Sequence, residues 1–228
     1  MDLNLKGKTA IVTGGSLGIG KAIAKQLSFE GVDVVISSRN LNNLESAAKD
    51  ISAETGGKII PLIVDTGDQE SVASMVEQAM AILNRIDILV NCAAQPSSRS
   101  VTSDLDDLTE DQFWLDMNVK VMGYLRCAKT VAPYMKQNGW GRIINISGLN
   151  ARQSGNTIGS MRNVSVVAMT KNLAEELGPY GINSTVIHPG ATRTERTFES
   201  LTTQAVNLGI SCLLYTSPSP RDGLISYA

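Results

Sequence analysis

Three glycines near the amino terminus have the spacing of a phosphate-binding turn. Gly14, Gly18 and Gly20 follow an apolar run at residues 9–12 and precede a helix-like stretch at residues 21–27. The order strand, glycine turn, helix places backbone N–H groups and a helix N-terminus where a phosphate can sit. A Cβ at these glycines would block the turn or the approach of a pyrophosphate. The loop therefore predicts a dinucleotide site, which also includes Ser16 and Ile19.

The end of the second apolar run bears on the choice of dinucleotide. It lies about 20 residues after the loop, where a carboxylate would accept a hydrogen bond from the ribose 2′-hydroxyl of NAD(H). This chain has Ser38 followed by Arg39 there. A hydroxyl and a guanidinium suit a 2′-phosphate, because arginine offers forked donors to phosphate oxygens. The pair favours NADP(H), with NAD(H) as the alternative; Arg39 as a solvated loop cation is the simpler interpretation.

The elements that would position this loop alternate along the chain. Short runs rich in isoleucine and valine are typical of parallel strands buried on both faces. They occupy residues 9–13, 32–37, 59–64, 86–90, 142–146 and 183–187. Between them, helices are predicted behind an Asp68 cap, from Thr109 towards Met135, and over residues 160–177. We expect a single α/β domain with a doubly wound, Rossmann-like parallel sheet and right-handed crossovers.

Composition excludes several other classes. The formal charge of −2 over 228 residues gives no support for binding to nucleic acid or anionic membranes. No run is apolar and long enough to span a bilayer, and the N-terminus lacks the order of a signal peptide. Cys92, Cys127 and Cys212 have no metal-ligand spacing, so no metal site is predicted. Reduced thiols in a cytoplasmic protein are the expectation.

The last residues break the strand–helix pattern. Residues 212–222 back-translate to DNA that resembles a transposase-type sequencing adapter, and the last four residues fit the flow-cell primer that follows it. We therefore expect a domain at residues 1–210, C-terminally incomplete and truncated before its last strand. Residues 211–228 are then a non-native tail produced by adapter read-through. The alternative is a natural tail of unusual composition.

Taken in order, the motifs resemble the short-chain dehydrogenase/reductase family from residue 5 to about residue 197. The match begins with the glycine loop and continues with Asp65-Thr66 after the third strand. A variant of the family's Asn-Asn-Ala-Gly follows the fourth strand at residues 91–94. The remaining matches are Asn118 in the long central helix, Ser147 after the fifth strand, and Pro189, Gly190 and Thr192 after the sixth.

The resemblance implies a role for each matched residue that contacts the cofactor. Asp65 would hydrogen-bond the adenine amine, backed by Thr66, and Asn91 and Ala93 would line the adenosine ribose. Asn91 is equally open to a purely structural role. The residues implied to lie against the nicotinamide and its amide are Pro189, Gly190 and Thr192.

The resemblance also implies the catalytic residues. Ser147 would hold the substrate oxygen by a hydrogen bond, and Asn118 would anchor a water in a proton relay. A buried amide that mends a helix kink is the alternative for Asn118. The family's acid–base pair is Tyr-x-x-x-Lys on the next helix, whose spacing puts both side chains on one face. Alignment places Gly159 and Asn163 at those two positions, so the usual pair is absent.

Three accounts of this departure stay open. Another group could assist the substrate oxygen: Ser147 through water, Ser160, Arg162 as an electrostatic stabiliser, or His188. The protein could instead bind the cofactor with little or no turnover, or its reaction could need little acid help. In each account Asn163 can still hold the nicotinamide ribose by hydrogen bonds. A hydrogen-bonding or packing role is the simpler interpretation of His188.

The predicted function is that of an NADP-dependent oxidoreductase with an atypical acid–base site. It would transfer hydride between the nicotinamide and a small-molecule carbonyl or alcohol. The alternative is a non-catalytic NADP(H)-binding protein with a regulatory or structural role. The family resemblance further implies a homo-dimer or homo-tetramer, and neither a nucleic-acid nor a membrane partner is expected.

Overall fold

The computed structural model describes residues 2–94, 105–154, 156–190, 192–195, 202 and 205–206. The chain divides into two compact units, Met1–Pro189 and Gly190–Ala228. The predicted 211–228 tail lies outside the described residues. The sheet and the helices that flank it belong to the first unit.

Six parallel strands form one sheet in the order β3-β2-β1-β4-β5-β6. They are β1 (Thr9–Thr13), β2 (Asp33–Ser38), β3 (Ile59–Ile63), β4 (Ile88–Asn91), β5 (Gly141–Ile146) and β6 (Ile182–Ile187). This order confirms the predicted doubly wound, Rossmann-like sheet, and the strand bounds differ from the predicted ones only at the ends. The winding reverses between β1 and β4, so the carboxyl ends of those two strands flank the crevice where ligands bind in such sheets.

Helices follow the strands in alternation. They are α1 (Gly18–Phe29), α2 (Leu41–Thr55), α3 (Gln69–Leu83), α4 (Glu110–Asp116), α5 (Gly123–Asn138) and α6 (Thr157–Leu177). The predicted cap of α3 is confirmed, since the Asp68 carboxylate accepts hydrogen bonds from the Glu70 and Ser71 N–H groups. Among the described helices, none is long and apolar enough to cross a membrane.

The long helix predicted from Thr109 towards Met135 is interrupted by a π-helical segment at Met117–Met122. The Gly123 N–H bonds the Asn118 carbonyl, five residues back, which is the π-helical pattern. Side chains also occupy carbonyls of the widened turn: Arg126 donates to Asn118 O at 3.1 Å, and the Thr66 hydroxyl donates to Val119 O at 3.0 Å. These tertiary contacts, which periodicity cannot predict, stabilise the wider turn.

The hydrophobic core lies on both faces of the sheet. One cluster packs α3 and α5 against the strands, with Met75, Leu89 and Met135 fully buried. The other packs α1 and α2 against the opposite face, with Ile36 and Leu44 fully buried. Burial on both faces accounts for the nearly continuous apolar sequence of the strands.

Candidate functional site

The glycine turn lies at the carboxyl end of β1, next to the end of β4. Gly14 has φ +69°, and a Cβ there would lie 2.9 Å from the Ala93 backbone nitrogen. A Cβ on Gly20 would overlap the Gly14 carbonyl oxygen. Glycine is therefore required at both positions, for the turn and for the close packing of α1 against it.

The N-terminus of α1 fits an anionic group. Its N-cap residue, Leu17, has no side-chain oxygen and makes no side-chain capping bond. The first N–H groups of a helix need partners from outside the helix, and the helix dipole favours a negative one. Together with the glycine cradle, this end of α1 has the donors that hold the pyrophosphate of a dinucleotide.

The end of β2 fits a second phosphate. Ser38 Oγ is buried and, among the described residues, has no hydrogen-bond partner. Arg39 follows it and is exposed. Hydroxyl and guanidinium donors side by side are suited to the 2′-phosphate of NADP(H). Neither side chain is used by the fold in any contact that the structure describes.

The two residues predicted at the adenine end lie after β3. Asp65 is exposed, and one of its carboxylate oxygens accepts from the Gly67 N–H at 2.8 Å. Thr66 is buried, and its hydroxyl donates to Val119 O at 3.0 Å. Thr66 therefore connects this turn to the π-helical segment, while Asp65 faces solvent.

Asn91 lies at one end of a buried row of polar side chains whose central member is Asn145. Its Nδ2 donates to Asn145 Oδ1 at 2.9 Å, and Asn145 Nδ2 donates to Thr170 Oγ1 at 3.0 Å. The row joins β4, β5 and α6. On the other side, Thr13 Oγ1 accepts from the Ala93 N–H at 3.3 Å. These contacts favour the structural role for Asn91, as the residue that ties the central strands together.

The residues predicted at the nicotinamide end are divided between the two units. Pro189 ends the first unit, and Gly190 and Thr192 lie in the second, where Thr192 Oγ1 donates to Gly190 O at 3.1 Å. Their cofactor roles stay predictions.

Ser147 and Asn163 lie in contact with each other. Ser147 follows β5 and is buried, and its hydroxyl donates to the Asn163 backbone carbonyl at 3.0 Å. Asn163 is buried on α6. Gly159, one turn earlier, donates its N–H to the N-cap side chain of Asn156 at 2.7 Å. Gly159 and Asn163 thus lie one turn apart on α6. That they stand in for the family's acid–base pair stays a prediction.

Lys120 is the residue of this site that was not predicted from the sequence. It is only 4% exposed, on the π-helical segment, and its ammonium donates to Ser147 O at 3.0 Å and to Asn163 Oδ1 at 3.1 Å. The sequence held one signal, because residues 119–122 read Val-Lys-Val-Met and a charged residue in an apolar stretch is costly to bury. The direction of the Lys120 side chain could not be predicted, because the π-helical turn changes the helical periodicity at this residue.

The surroundings of Lys120 destabilise its charged form. Burial lowers the pKa of Lys120 to about 7, and the Arg162 guanidinium lowers it further, whereas Cys92 and Asp116 act in the opposite direction. Burial also raises the pKa of the Cys92 thiol to about 11. The Lys120 ammonium lies 5.9 Å from the centre of the Tyr124 ring. Strongly shifted pKa values of this kind are common at functional sites.

Both polar atoms of the Asn118 side-chain amide form hydrogen bonds within the protein. Its Nδ2 donates to Gly67 O at 3.2 Å, and its Oδ1 accepts from Arg126 Nη2 at 2.7 Å. Asn118 also opens the π-turn. These contacts favour the structural alternative over the water-binding role, which stays a prediction.

Two of the other candidate groups, Arg162 and His188, also have partners. Arg162 Nη1 bonds both carboxylate oxygens of Asp116, at 2.8 and 2.9 Å, so its charge is neutralised across α4 and α6. His188 Nδ1 lies 3.2 Å from Gly148 O, which agrees with the hydrogen-bonding role. Ser160 is half-buried on α6. Among the described residues, no group of three or more histidine, cysteine or acidic side chains could hold a metal ion.

Comparison with protein families gives a match to the short chain dehydrogenase family over residues 8–205. Among characterised proteins, the chain is 34% identical to the NADPH-dependent reductase BacG of Bacillus subtilis. That alignment covers 83% of this chain and 73% of BacG.

Solved structures give the same result. The L-sorbose reductase of Gluconobacter frateurii, complexed with NADPH and L-sorbose, superposes with a TM-score of 0.87 at 27% identity. This covers 94% of this chain and 81% of the reductase. An NAD⁺-bound xylitol dehydrogenase superposes with a TM-score of 0.81 at 25% identity, covering 89% of this chain and 77% of the dehydrogenase.

Proposed function

Because this chain belongs to the short-chain dehydrogenase family, we propose that it is an NADP(H)-dependent oxidoreductase that interconverts a carbonyl and an alcohol. The observation that carries the proposal is the cradle at the start of α1. There, glycines that tolerate no Cβ lie beneath a helix N-terminus without a side-chain cap. Such a cradle binds the pyrophosphate of a nicotinamide dinucleotide.

The preference for NADP(H) rests on the end of β2. Ser38 brings a buried hydroxyl without a partner among the described residues, and Arg39 brings an exposed cation. The relatives support either cofactor, since BacG is an NADPH-dependent reductase and the xylitol dehydrogenase structure holds NAD⁺. No carboxylate stands at this strand end to bind a 2′-hydroxyl, and this local chemistry supports the phosphate of NADP(H).

The substrate oxygen belongs at Ser147. Its hydroxyl proton is directed at the Asn163 carbonyl at 3.0 Å, and substrate binding would redirect that proton to the carbonyl oxygen of the substrate. When bound, the nicotinamide supplies the hydride. The protein's part is to orient the carbonyl, exclude water and stabilise charge on the oxygen. The cytoplasmic location and the homo-oligomer stay predictions.

The alternative is an NADP(H)-binding protein without catalytic activity. It is favoured by Gly159 and Asn163, which stand where the family motif has tyrosine and lysine. The two proposals share the cofactor site and differ only in turnover.

The test has a binding arm and a turnover arm. NADPH and NADH are titrated by fluorescence against the wild type, Arg39→Ala and the exposed-lysine control Lys49→Ala. We expect Arg39→Ala to weaken NADPH binding about tenfold, the contribution of one charge-assisted hydrogen bond. NADH binding should stay unchanged. Equal losses for both dinucleotides would contradict the NADP(H) preference.

The turnover arm uses a panel of small aldehydes, ketones and sugars with NADPH, with Ser147→Ala as the comparison variant. We expect the wild type to oxidise NADPH with at least one substrate, and Ser147→Ala to reduce kcat roughly 100-fold. Binding of NADPH without turnover on any substrate would favour the non-catalytic alternative.

A further inference from the structure

The acid–base site has a positive charge, although α6 does not supply it. Position 163 holds an uncharged amide, and the Lys120 ammonium lies 3.1 Å from the oxygen of that amide. Lys120 reaches the site from the π-helical segment, and its ammonium also donates to Ser147 O. The charge therefore lies against the side chain at position 163, where the family motif has a lysine.

We propose that Lys120 is the positioning cation of the acid–base site and acts through Ser147 and Asn163 on the oxygen of the substrate. This inference rests on the proposed oxidoreductase function. It pairs the uncharged side chain at position 163 with a nearby cation, and it assigns a function to a buried charge that has no carboxylate partner among the described residues.

Three hydrogen bonds join Lys120, Ser147 and Asn163 in a ring. Lys120 donates to Ser147 O and to Asn163 Oδ1, and Ser147 Oγ donates to Asn163 O at 3.0 Å. The ring fixes the orientation of the serine hydroxyl and of the Asn163 amide. An ammonium has three N–H donors, so one remains beyond the two contacts within the ring.

The Lys120 charge is available because no carboxylate neutralises it at contact distance among the described residues. The nearby Asp116 carboxylate is bound by Arg162 Nη1 at 2.8 and 2.9 Å. Arg162 is thereby neutralised, whereas Lys120 contacts only neutral oxygens. A fixed cation in a water-poor site stabilises negative charge more strongly than it would in water.

In the reductive direction, the hydride adds with its electron pair to the carbonyl carbon, and the π electrons move to the oxygen. The carbonyl is reduced and NADPH is oxidised to NADP⁺. The oxygen develops negative charge at Ser147 and takes one proton from solvent to become the alcohol. Lys120 keeps its proton throughout and lowers the energy of the charged oxygen.

This role makes the reaction depend on pH. The groups that face Lys120 are Cys92 after β4, Asp116 on α4, Tyr124 on α5 and Arg162 on α6. Burial raises the pKa of Cys92 to about 11 and that of Tyr124 well above 10, so both stay neutral near pH 7. The pKa of Lys120, lowered to about 7, makes it the group of this cluster that changes charge there.

The experiment compares kcat with the best carbonyl substrate between pH 6 and pH 9 for the wild type, Lys120→Met and Lys120→Arg. Lys171→Met, an exposed lysine on α6, is the matched control. We expect Lys120→Met to lose kcat roughly 100-fold at pH 6.5, with KM and NADPH affinity little changed. Wild-type kcat should fall above about pH 7, because Lys120 loses its charge. Lys120→Arg should keep most of the activity and lose that fall, because arginine stays charged.

A second variant guards against misfolding at the buried site. Lys120→Ala combined with Asn163→Lys moves the cation to α6, and we expect it to recover kcat relative to Lys120→Ala alone. Asn163→Lys alone should not raise kcat, because it places a second ammonium against that of Lys120. The inference would be overturned if Lys120→Met had the same kcat as the wild type. It would also be overturned if a folded Lys120→Arg protein kept the wild-type fall in kcat above pH 7.

A readout without turnover separates this inference from the proposed function. The Lys120 ζ-nitrogen is titrated by ¹⁵N NMR in the NADPH-bound protein, with assignment by Lys120→Met. We expect a midpoint near 7. A midpoint near the ordinary lysine value of 10.5 would contradict the predicted fall in kcat above pH 7, and the loss of kcat in Lys120→Met would then decide alone whether Lys120 is the positioning cation. A midpoint near 7 in a protein that binds NADPH but turns over no substrate would refute the oxidoreductase function and leave only the electrostatic part of the inference, a buried lysine that titrates near neutrality.

Discussion

The two halves of the ligand crevice differ in the chemical groups that form them, which are mainly backbone groups in one half and side chains in the other. The cofactor half, residues 9–66, relies on backbone: a glycine turn at Gly14 and Gly20 and the N-terminus of α1. The reaction half, residues 116–163, relies on side chains brought together from the π-helical segment, the end of β5 and α6. The family resemblance predicts that the cofactor half keeps its motifs and that the reaction half lacks the tyrosine and lysine of the acid–base pair.

The two halves differ because one must position backbone N–H groups and the other must position a charge. A backbone N–H is fixed by φ and ψ, so a turn that presents several of them has few alternative sequences. A charge can be delivered to the same point by a long side chain from any neighbouring element. Lys120 and Asn163 illustrate this, since the ammonium of one lies against the amide of the other. The backbone solution therefore restricts sequence more strongly than the side-chain solution.

The largest effect is expected from Gly14→Ala. The new Cβ would lie 2.9 Å from the Ala93 nitrogen, in a backbone conformation that L residues rarely adopt. Gly14 or the end of β4 must then move, and the cradle opens. We expect NADPH affinity to fall about 100-fold, which corresponds to about 2.7 kcal/mol, measured by fluorescence titration.

Gly56→Ala is the matched control for this prediction. Gly56 has a similar φ of +70°, but a Cβ there meets nothing within 4 Å. It should lower the free energy of unfolding by roughly 1–2 kcal/mol through backbone strain alone and leave NADPH affinity unchanged. If both variants lose affinity equally, the effect is global and the cradle is not specifically responsible.

The cofactor half was predictable from sequence because its signals are local. Gly14, Gly18 and Gly20 report backbone geometry directly, and the apolar runs report strands buried on both faces. The six parallel strands were found accordingly. The absence of tyrosine and lysine at positions 159 and 163 was equally plain from the sequence. The contact between Lys120 and Asn163 was not, because it depends on a π-turn stabilised by Arg126 and Thr66.

The second prediction concerns the cost of placing a charge in the reaction half. The pKa of Lys120 is about 7 in the folded protein and near 10.5 in the unfolded chain, so the unfolded state binds more protons between those values. Stability contributed by this group therefore rises with pH through that window and is flat below it. Between pH 7 and pH 9.5 the wild type should gain on the order of 2–3 kcal/mol relative to Lys120→Met.

Urea denaturation of both proteins at the two pH values measures that gain. The variant serves as the internal control, because Cys92, whose pKa is about 11, stays protonated in both up to pH 9.5. Parallel pH dependence of the two proteins would mean that Lys120 keeps an ordinary pKa. The reaction half would then differ from the cofactor half only in its use of side chains, and not in the cost of burying a charge.

The smallest effect is expected from Asp116→Asn, which changes the field around Lys120 without touching it. The Asp116 carboxylate raises the pKa of Lys120, while the Arg162 guanidinium lowers it. In the wild type, Asp116 and Arg162 form an ion pair. With the carboxylate removed, Arg162 acts unopposed, so the fall in kcat should move to lower pH by roughly half a unit to one unit. Asp50→Asn removes a carboxylate from the exposed pair with Lys21, at 2.8 Å, and should leave the midpoint in place. A shift to higher pH in Asp116→Asn would mean that a group other than Lys120 controls the profile, because loss of a nearby anion cannot raise the pKa of a cation.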